Sequence, residues 1–210
     1  MYEHFFKRLI DIVLSFLAII VLAIPMLIIA VIIKIDSPGP VLFKQKRVGI
    51  HKTYFTILKF RTMPTDVPHD TPTHQFKSEN MLSGWQKFMR ATSLDELPQV
   101  FLIFSSKMSI VGPRPALWNQ DDLVEERDKY GANDVKPGLT GWAQINGRDE
   151  LEISVKAKLD GEYTSELKKG GFKAFGMDLR CFFGSIFSVL RRDGVVEGGT
   201  GELNKDTESE

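Results

Sequence analysis

The first 35 residues divide sharply from the rest in their pattern of apolar and polar positions. Ile12 to Ile33 is apolar throughout except for Ser15 and Pro25. As a helix this stretch runs about 33 Å, enough to cross a hydrocarbon core of about 30 Å. It is too long for a signal-peptide core, and Ile33-Lys34-Ile35 offers no small-residue cleavage pattern. Pro25 cannot donate to the Val21 carbonyl, and its ring crowds that carbonyl, so a bend is expected there. Two readings follow. A kinked helix spans the membrane, or the helix breaks at Pro25 and returns as a re-entrant hairpin. Basic residues flank both ends, Lys7 and Arg8 on one side and Lys34, Lys44, Lys46 and Arg47 on the other. The positive-inside preference tilts the balance slightly toward the hairpin.

Beyond the anchor, the pattern changes to short elements separated by Pro and Gly. Asp36 to Phe43 reads as a turn entering a strand, and Val48 to Met63 alternates like a hairpin strand. Pro64 to Thr73 reads as a loop. Helices are expected over Ser78–Met89, with Ser78 as N-cap, from Asp95 to about Phe104, over Trp118–Tyr130 and over Leu151–Leu167. MSIVGPRP supplies a short strand, and Val135 to Arg148 a Gly-punctuated loop and strand. Near the C-terminus Leu179, Phe182, Phe183, Ile186, Val189 and Leu190 recur at helical spacing. Such a helix either lies in the membrane interface or faces an ordinary core. The fold class is α+β: a helix-rich, membrane-associated catalytic domain with a Pro-broken N-terminal helix and interfacial amphipathic helices. The boundaries are 1–35 for the anchor, 36–196 for the catalytic domain and 197–210 for an acidic, disordered tail.

Charge refines this picture. Net charge is zero, yet between Lys34 and Met63 seven basic residues face one acid, Asp36. Beside a membrane segment this suits anionic headgroups or phosphate ligands and gives no reason to expect nucleic acid. Cys181 is the only cysteine, so no internal disulfide forms, and no Cys/His cluster has zinc spacing. A reducing, cytoplasm-facing location fits.

The candidate chemistry lies in SLDELPQ, Ser93 to Gln99. Ser93 and Glu96 have capping-box spacing, or Asp95 itself caps the helix, with Pro98 confined to the first turn. Either register puts Asp95 and Glu96 where the helix dipole favours negative charge and where backbone N–H groups can meet phosphate. A plain helix cap would use the same residues. Cations gather in the sequence around it: Lys59 and Arg61 two apart on an extended segment, Arg90 shortly before the acids, Arg114 between Pro113 and Pro115, and Arg148 after Asn146-Gly147. Guanidinium forks match phosphate oxygens in pairs, and a Pro-fixed backbone lowers the entropy lost on binding.

KRLIDIVLSF, DSPGPVLFKQKRVG, FTILKFRTM, TSLDELPQ, MSIVGPRP and KPGLTGWAQINGR occur in the order found in bacterial sugar transferases. The chain resembles the minimal form of these monotopic phosphoglycosyl transferases over nearly its whole length. The resemblance implies transfer of a sugar 1-phosphate from a UDP-sugar to undecaprenyl (polyprenol) phosphate, releasing UMP, with Mg²⁺ as cofactor. It implies Asp95 as the covalent nucleophile and Glu96 as its Mg²⁺-associated partner, the two together forming the metal site. Lys59, Arg90, Arg114 and Arg148 match family basic positions, Asp160 a family acidic position, and the break at Pro25 a family trait. The partners implied are the UDP-sugar, the polyprenol phosphate, membrane lipids and the glycosyltransferases that extend the product. The location implied is the inner membrane with the catalytic domain in the cytoplasm. Ile24-Pro25 stands where the family often has Ser-Pro, and Asp149-Glu150 follows Arg148 where Asn is frequent, which leaves the sugar open. The rival readings are a catalytically silent membrane adaptor and a glycosyltransferase releasing UDP.

Overall fold

A computed structural model describes residues 2–63, 82–147 and 151–191. Helix α1, Lys7–Asp36, follows directly on a π-helical turn, Tyr2–Phe6. Together they form one helical stretch, Tyr2–Asp36, long and apolar enough to cross a membrane. Most of its apolar side chains are open, Val21 and Ile24 at 71% and 70% of full exposure. A water-facing surface of that kind has no stable soluble form, so the helix is built for an apolar surround. Its buried side chains are confined to two stretches: Lys7, Asp11 and Ser15 at the start, and Met26, Ile29 and Ile33 toward the end. α1 continues through Pro25 as one helical element.

Strands β1 (Leu42–Val48) and β2 (Tyr54–Phe60) form the expected antiparallel hairpin, pairing Leu42 with Phe60 and Val48 with Tyr54. Phe60 packs with Met26, Ile29, Ile33 and Met89, which seats the hairpin on the second half of α1. Helix α2, Gly84–Ala91, begins later than Ser78: Ser83 and Gln86 make the reciprocal capping box, the stronger start signal. Residues 64–81 lie outside the described residues, so the Pro64–Thr73 loop and the Ser78 cap do too. A 3₁₀ turn, Leu94–Gln99, leads into α3, Val100–Phe104.

Strand β3 (Ser109–Val111), the short strand expected in MSIVGPRP, pairs in parallel with β4 (Gly138–Thr140), the strand expected within Val135 to Arg148, to make a second small sheet. The two chains approach so closely at Gly112 and Gly138 that a Cβ on Gly138 would lie 2.1 Å from the Gly112 nitrogen. Gly138 N–H donates to Pro113 O at 2.9 Å, so this contact fixes the backbone just before Arg114. Helix α4 is shorter than expected, Asp121–Asp128, and is followed by α5 (Trp142–Ile145), α6 (Ile153–Lys169) and α7 (Gly171–Arg191). Tyr163 and Leu167 of α6 pack with Ala174 and Cys181 of α7, Val111 and Val135 in one core. The molecule is a helix-rich α+β fold with an N-terminal apolar helix. The 197–210 tail lies outside the described residues.

Candidate active site

Three separate segments meet around Glu96. Lys59, near the end of β2, donates to Glu96 Oε1 at 2.8 Å. Arg114, on the loop that follows β3, donates through Nη2 to Oε1 at 2.6 Å and through Nη1 to Oε2 at 3.3 Å. Burial penalises the Glu96 charge, but Arg114 and Lys59 outweigh that penalty and hold its carboxyl well below the usual range. Glu96 is thus a fixed anion with both oxygens engaged.

Asp95, its neighbour, has a different environment. It is equally buried, 7% against 9%, yet among the described residues no side chain donates a hydrogen bond to it. Burial, with the Glu96 charge added, raises its pKa; Lys59, Arg90 and Arg114 oppose that rise. The two acids therefore separate in character, one held ionised and one poised closer to neutral. Among the described residues three cations, Lys59, Arg90 and Arg114, act on the two carboxylates.

The turn that places them departs from the expected helix cap. Ser93 takes a left-handed conformation, φ 56°, and makes no side-chain cap, so neither Ser93 nor Asp95 caps as the spacing predicts. Ser93 holds that conformation at a cost of about 1–3 kcal/mol, and such strain tends to be kept at functional sites. The tight 3₁₀ path with Pro98 inside it turns both carboxylates inward, away from a capping role.

The other cations separate. Arg90 Nε donates to Thr62 Oγ1 at 3.0 Å, and its charge acts on Asp95. Arg61 does not share a face with Lys59, because β2 ends at Phe60 and strand alternation ends with it. Its guanidinium donates to Ser37 O at 2.9 Å and Pro38 O at 2.8 Å, bracing the exit of α1 against the hairpin. Arg148 lies outside the described residues.

Asp160 is buried at 1% and sits on the face of α6 turned toward α4. Its Oδ2 accepts from Arg127 Nε at 2.9 Å and Nη2 at 2.5 Å. The same Nη2 donates to the Arg114 carbonyl at 2.9 Å. Asp160 therefore reaches the Glu96 cluster only through Arg127 and the Arg114 backbone. Sequence reasoning overlooked Arg127, which sits among the charges of EERDK and carries no local signal.

Among the described residues no three His, Cys, Asp or Glu side chains converge as a metal cage. Asp95 and Glu96 offer hard oxygen donors, and one or two carboxylates completed by substrate phosphates are the usual Mg²⁺ arrangement.

The bacterial sugar transferase family model matches residues 2–192. The chain is 33% identical to the uncharacterized sugar transferase EpsL of Bacillus subtilis, covering 91% of this chain and 90% of that protein. It is 36% identical to the exopolysaccharide production protein PSS of Rhizobium leguminosarum, covering 89% and 96%. It is 42% identical to the UDP-glucose:undecaprenyl-phosphate glucose-1-phosphate transferase of Xanthomonas campestris, over 67% of this chain but only 30% of that longer protein. The family match, which spans both the apolar helix α1 and the turn that carries the buried Asp-Glu pair, establishes that this chain belongs to the bacterial sugar transferases.

Proposed function

We propose that the protein moves a sugar 1-phosphate from a UDP-sugar to undecaprenyl phosphate and releases UMP. The observation that carries this reading is the divided pair: Glu96 locked by Lys59 and Arg114, and Asp95 buried beside it among cations, with no side-chain donor among the described residues. An Asp95 Oδ atom attacks the β-phosphorus, a P–Oδ bond forms, and the bond to the departing UMP oxygen breaks. An oxygen of the polyprenol phosphate then attacks the same phosphorus. The acyl-phosphate bond breaks, Asp95 returns as carboxylate, and the product is a polyprenyl diphosphate sugar. Arg114, held in place by Glu96 in the resting state, and Lys59 and Arg90 offset the charge of the diphosphate. Asp95 and Glu96 would hold Mg²⁺, which when bound supplies further neutralisation of the diphosphate.

The anchor reading belongs here as well. Arg8 donates to the carbonyls of Ile103 and Phe104, and the Phe16 ring lies 6.2 Å from that of Phe104. Further along α1, Met26, Ile29 and Ile33 share a cluster with Leu94 and Leu97. Pro25 lies between these two contact regions and removes the hydrogen bond to the Val21 carbonyl, and we read there a bend that returns the chain to the side it entered. On this reading α1 enters and leaves on the cytoplasmic face of the inner membrane. The apolar faces of α3 and α7 lie in the interface, with Phe101, Phe104, Phe183 and Phe187 open to lipid.

The test is a product assay with a panel of UDP-sugars and undecaprenyl phosphate, alongside intact-mass analysis without the acceptor. UMP release and a phosphosugar adduct that Asp95→Asn lacks are the expected results. UDP as the product, or an undiminished adduct in Asp95→Asn, overturns the reading.

A further inference from the structure

On the side of α6 turned away from Asp160 lies a cleft of about 630 Å³, bounded by α5, α6 and α7. Its volume is that of a small-ligand site, within the range of about 300–1,000 Å³ typical of such clefts. One wall carries Glu162 and Glu166, one turn apart on α6. The other carries Lys173 and Arg180, two turns apart on α7. Trp142 closes one end, its indole N–H donating to Glu162 at 3.0 Å and its ring stacked with the Arg180 guanidinium at 4.8 Å. The lining thus divides into an anionic wall, on which Glu166 also pairs with Lys169 at its rim, and a cationic wall.

The position of the cleft on α7 is as informative as its charge. Ala174, Asp178 and Cys181 form the buried face of that helix, while Phe172, Leu179, Phe183 and Ile186 are exposed on the roughly opposite face. Lys173 and Arg180 lie on the flank between them. On a helix resting in a bilayer surface, that flank is at the level of the headgroups.

We infer that this cleft binds the headgroup of a zwitterionic phospholipid, one bearing a primary ammonium and a phosphodiester. Lys173 and Arg180 take the phosphate, and Glu162 and Glu166 take the ammonium. Trp142 sits at the polar–apolar boundary that indoles favour. A purely anionic headgroup would meet the two carboxylates at close range. A quaternary ammonium has no N–H to donate to them. The inference rests on the proposal that α7 lies in the membrane surface, and it is independent of the chemistry at Asp95.

The experiment uses the full chain in nanodiscs of equimolar phosphatidylethanolamine, phosphatidylglycerol and phosphatidylcholine, with native mass spectrometry reading the lipid retained on release. Phosphatidylethanolamine should be retained about tenfold over the other two. The double variant Lys173→Gln/Arg180→Gln should lose that retention, and Glu162→Gln/Glu166→Gln should switch it toward phosphatidylglycerol. These side chains are surface-placed, and circular dichroism checks that each variant is folded. Retention in the bulk ratio, a wild-type preference for phosphatidylglycerol, or insensitivity to both double variants overturns the site. A nitroxide at position 183, in a Cys181→Ser background, separates the two readings by its accessibility to oxygen against an aqueous nickel reagent. A label shielded in lipid without selective retention keeps α7 in the membrane surface and overturns the headgroup site, whereas a label open to the aqueous reagent overturns both.

Discussion

Two buried carboxylates in this molecule have nearly the same polar partners in number and opposite uses. Asp178 on α7 accepts from Tyr2 at 2.7 Å, Lys7 at 2.7 Å and Tyr163 at 2.8 Å. Glu96 accepts from Lys59 once and from Arg114 twice. Around Asp178 three donors converge: one cation, Lys7, whose charge also acts on the buried Asp11, and two phenols, of which Tyr163 is pushed well above its ordinary pKa by burial and by Asp178, so that it stays a donor. Around Glu96 a second buried acid, Asp95, stands beside it, and among the described residues Lys59, Arg90 and Arg114 act on the pair. The first arrangement joins the anchor to α6 and α7 and leaves nothing to react. The second holds one acid fixed so that its neighbour can change.

The comparison breaks most readily at the two anions themselves. Glu96→Gln should lower kcat by about 100-fold, the scale of losing one preorganised electrostatic contact in a site. It should lower the unfolding midpoint in mild detergent by less than Asp178→Ala does, because Asp95 still faces Lys59 and Arg114. Asp178→Ala should do the reverse. Removing one partner of a buried pair strands Lys7, at a cost of about 3–5 kcal/mol, while the fraction that stays folded keeps a normal turnover. Detergent unfolding curves and specific activity measured on the same samples decide it. If both variants lose activity and stability in step, the division of roles is wrong.

A smaller effect sharpens the link between the site and its support. Arg127 bridges Asp160 to the Arg114 carbonyl, so Arg127→Lys, which cannot reproduce the forked contact, should lower kcat by about tenfold with KM for the UDP-sugar less affected. If Arg127 acts by positioning Arg114, the change should add almost nothing in an Arg114→Ala background. Full additivity of the two substitutions would mean that Arg127 serves the fold alone.

That pair also marks where sequence reading stopped. The anchor was legible because an apolar run is a local property, and so was the β1–β2 hairpin, whose register follows from alternation. The Asp95–Glu96 pair was legible as a location, since adjacent acids before an apolar helix stand out. Its geometry was not, because Ser93 adopts a left-handed turn that no spacing rule requires. Contacts between Arg127 and Asp160, 33 residues apart, and between Lys7 and Asp178, 171 apart, leave no periodic trace. Arg61 was misplaced for a local reason, the strand ending one residue earlier than the alternation assumed.

The smallest expected effect concerns pH. Asp95 must be ionised to attack, and burial together with the Glu96 charge raises its pKa. The acid limb of kcat/KM should therefore fall above the value of about 3.9 for an ordinary aspartate. The sign for stability follows from the same shift. A carboxyl whose folded pKa lies above its unfolded one binds its proton more tightly when folded, so its ionisation costs stability as pH rises through that window. Glu96, held low, acts in the opposite sense: the stability it contributes at neutral pH is lost as pH falls toward its folded pKa. Arg90 is one of the cations that restrain the rise at Asp95, so Arg90→Gln should move the acid limb upward by less than about one pH unit. An acid limb that stays fixed in Arg90→Gln, or that moves downward, would mean that the titrating group is not Asp95.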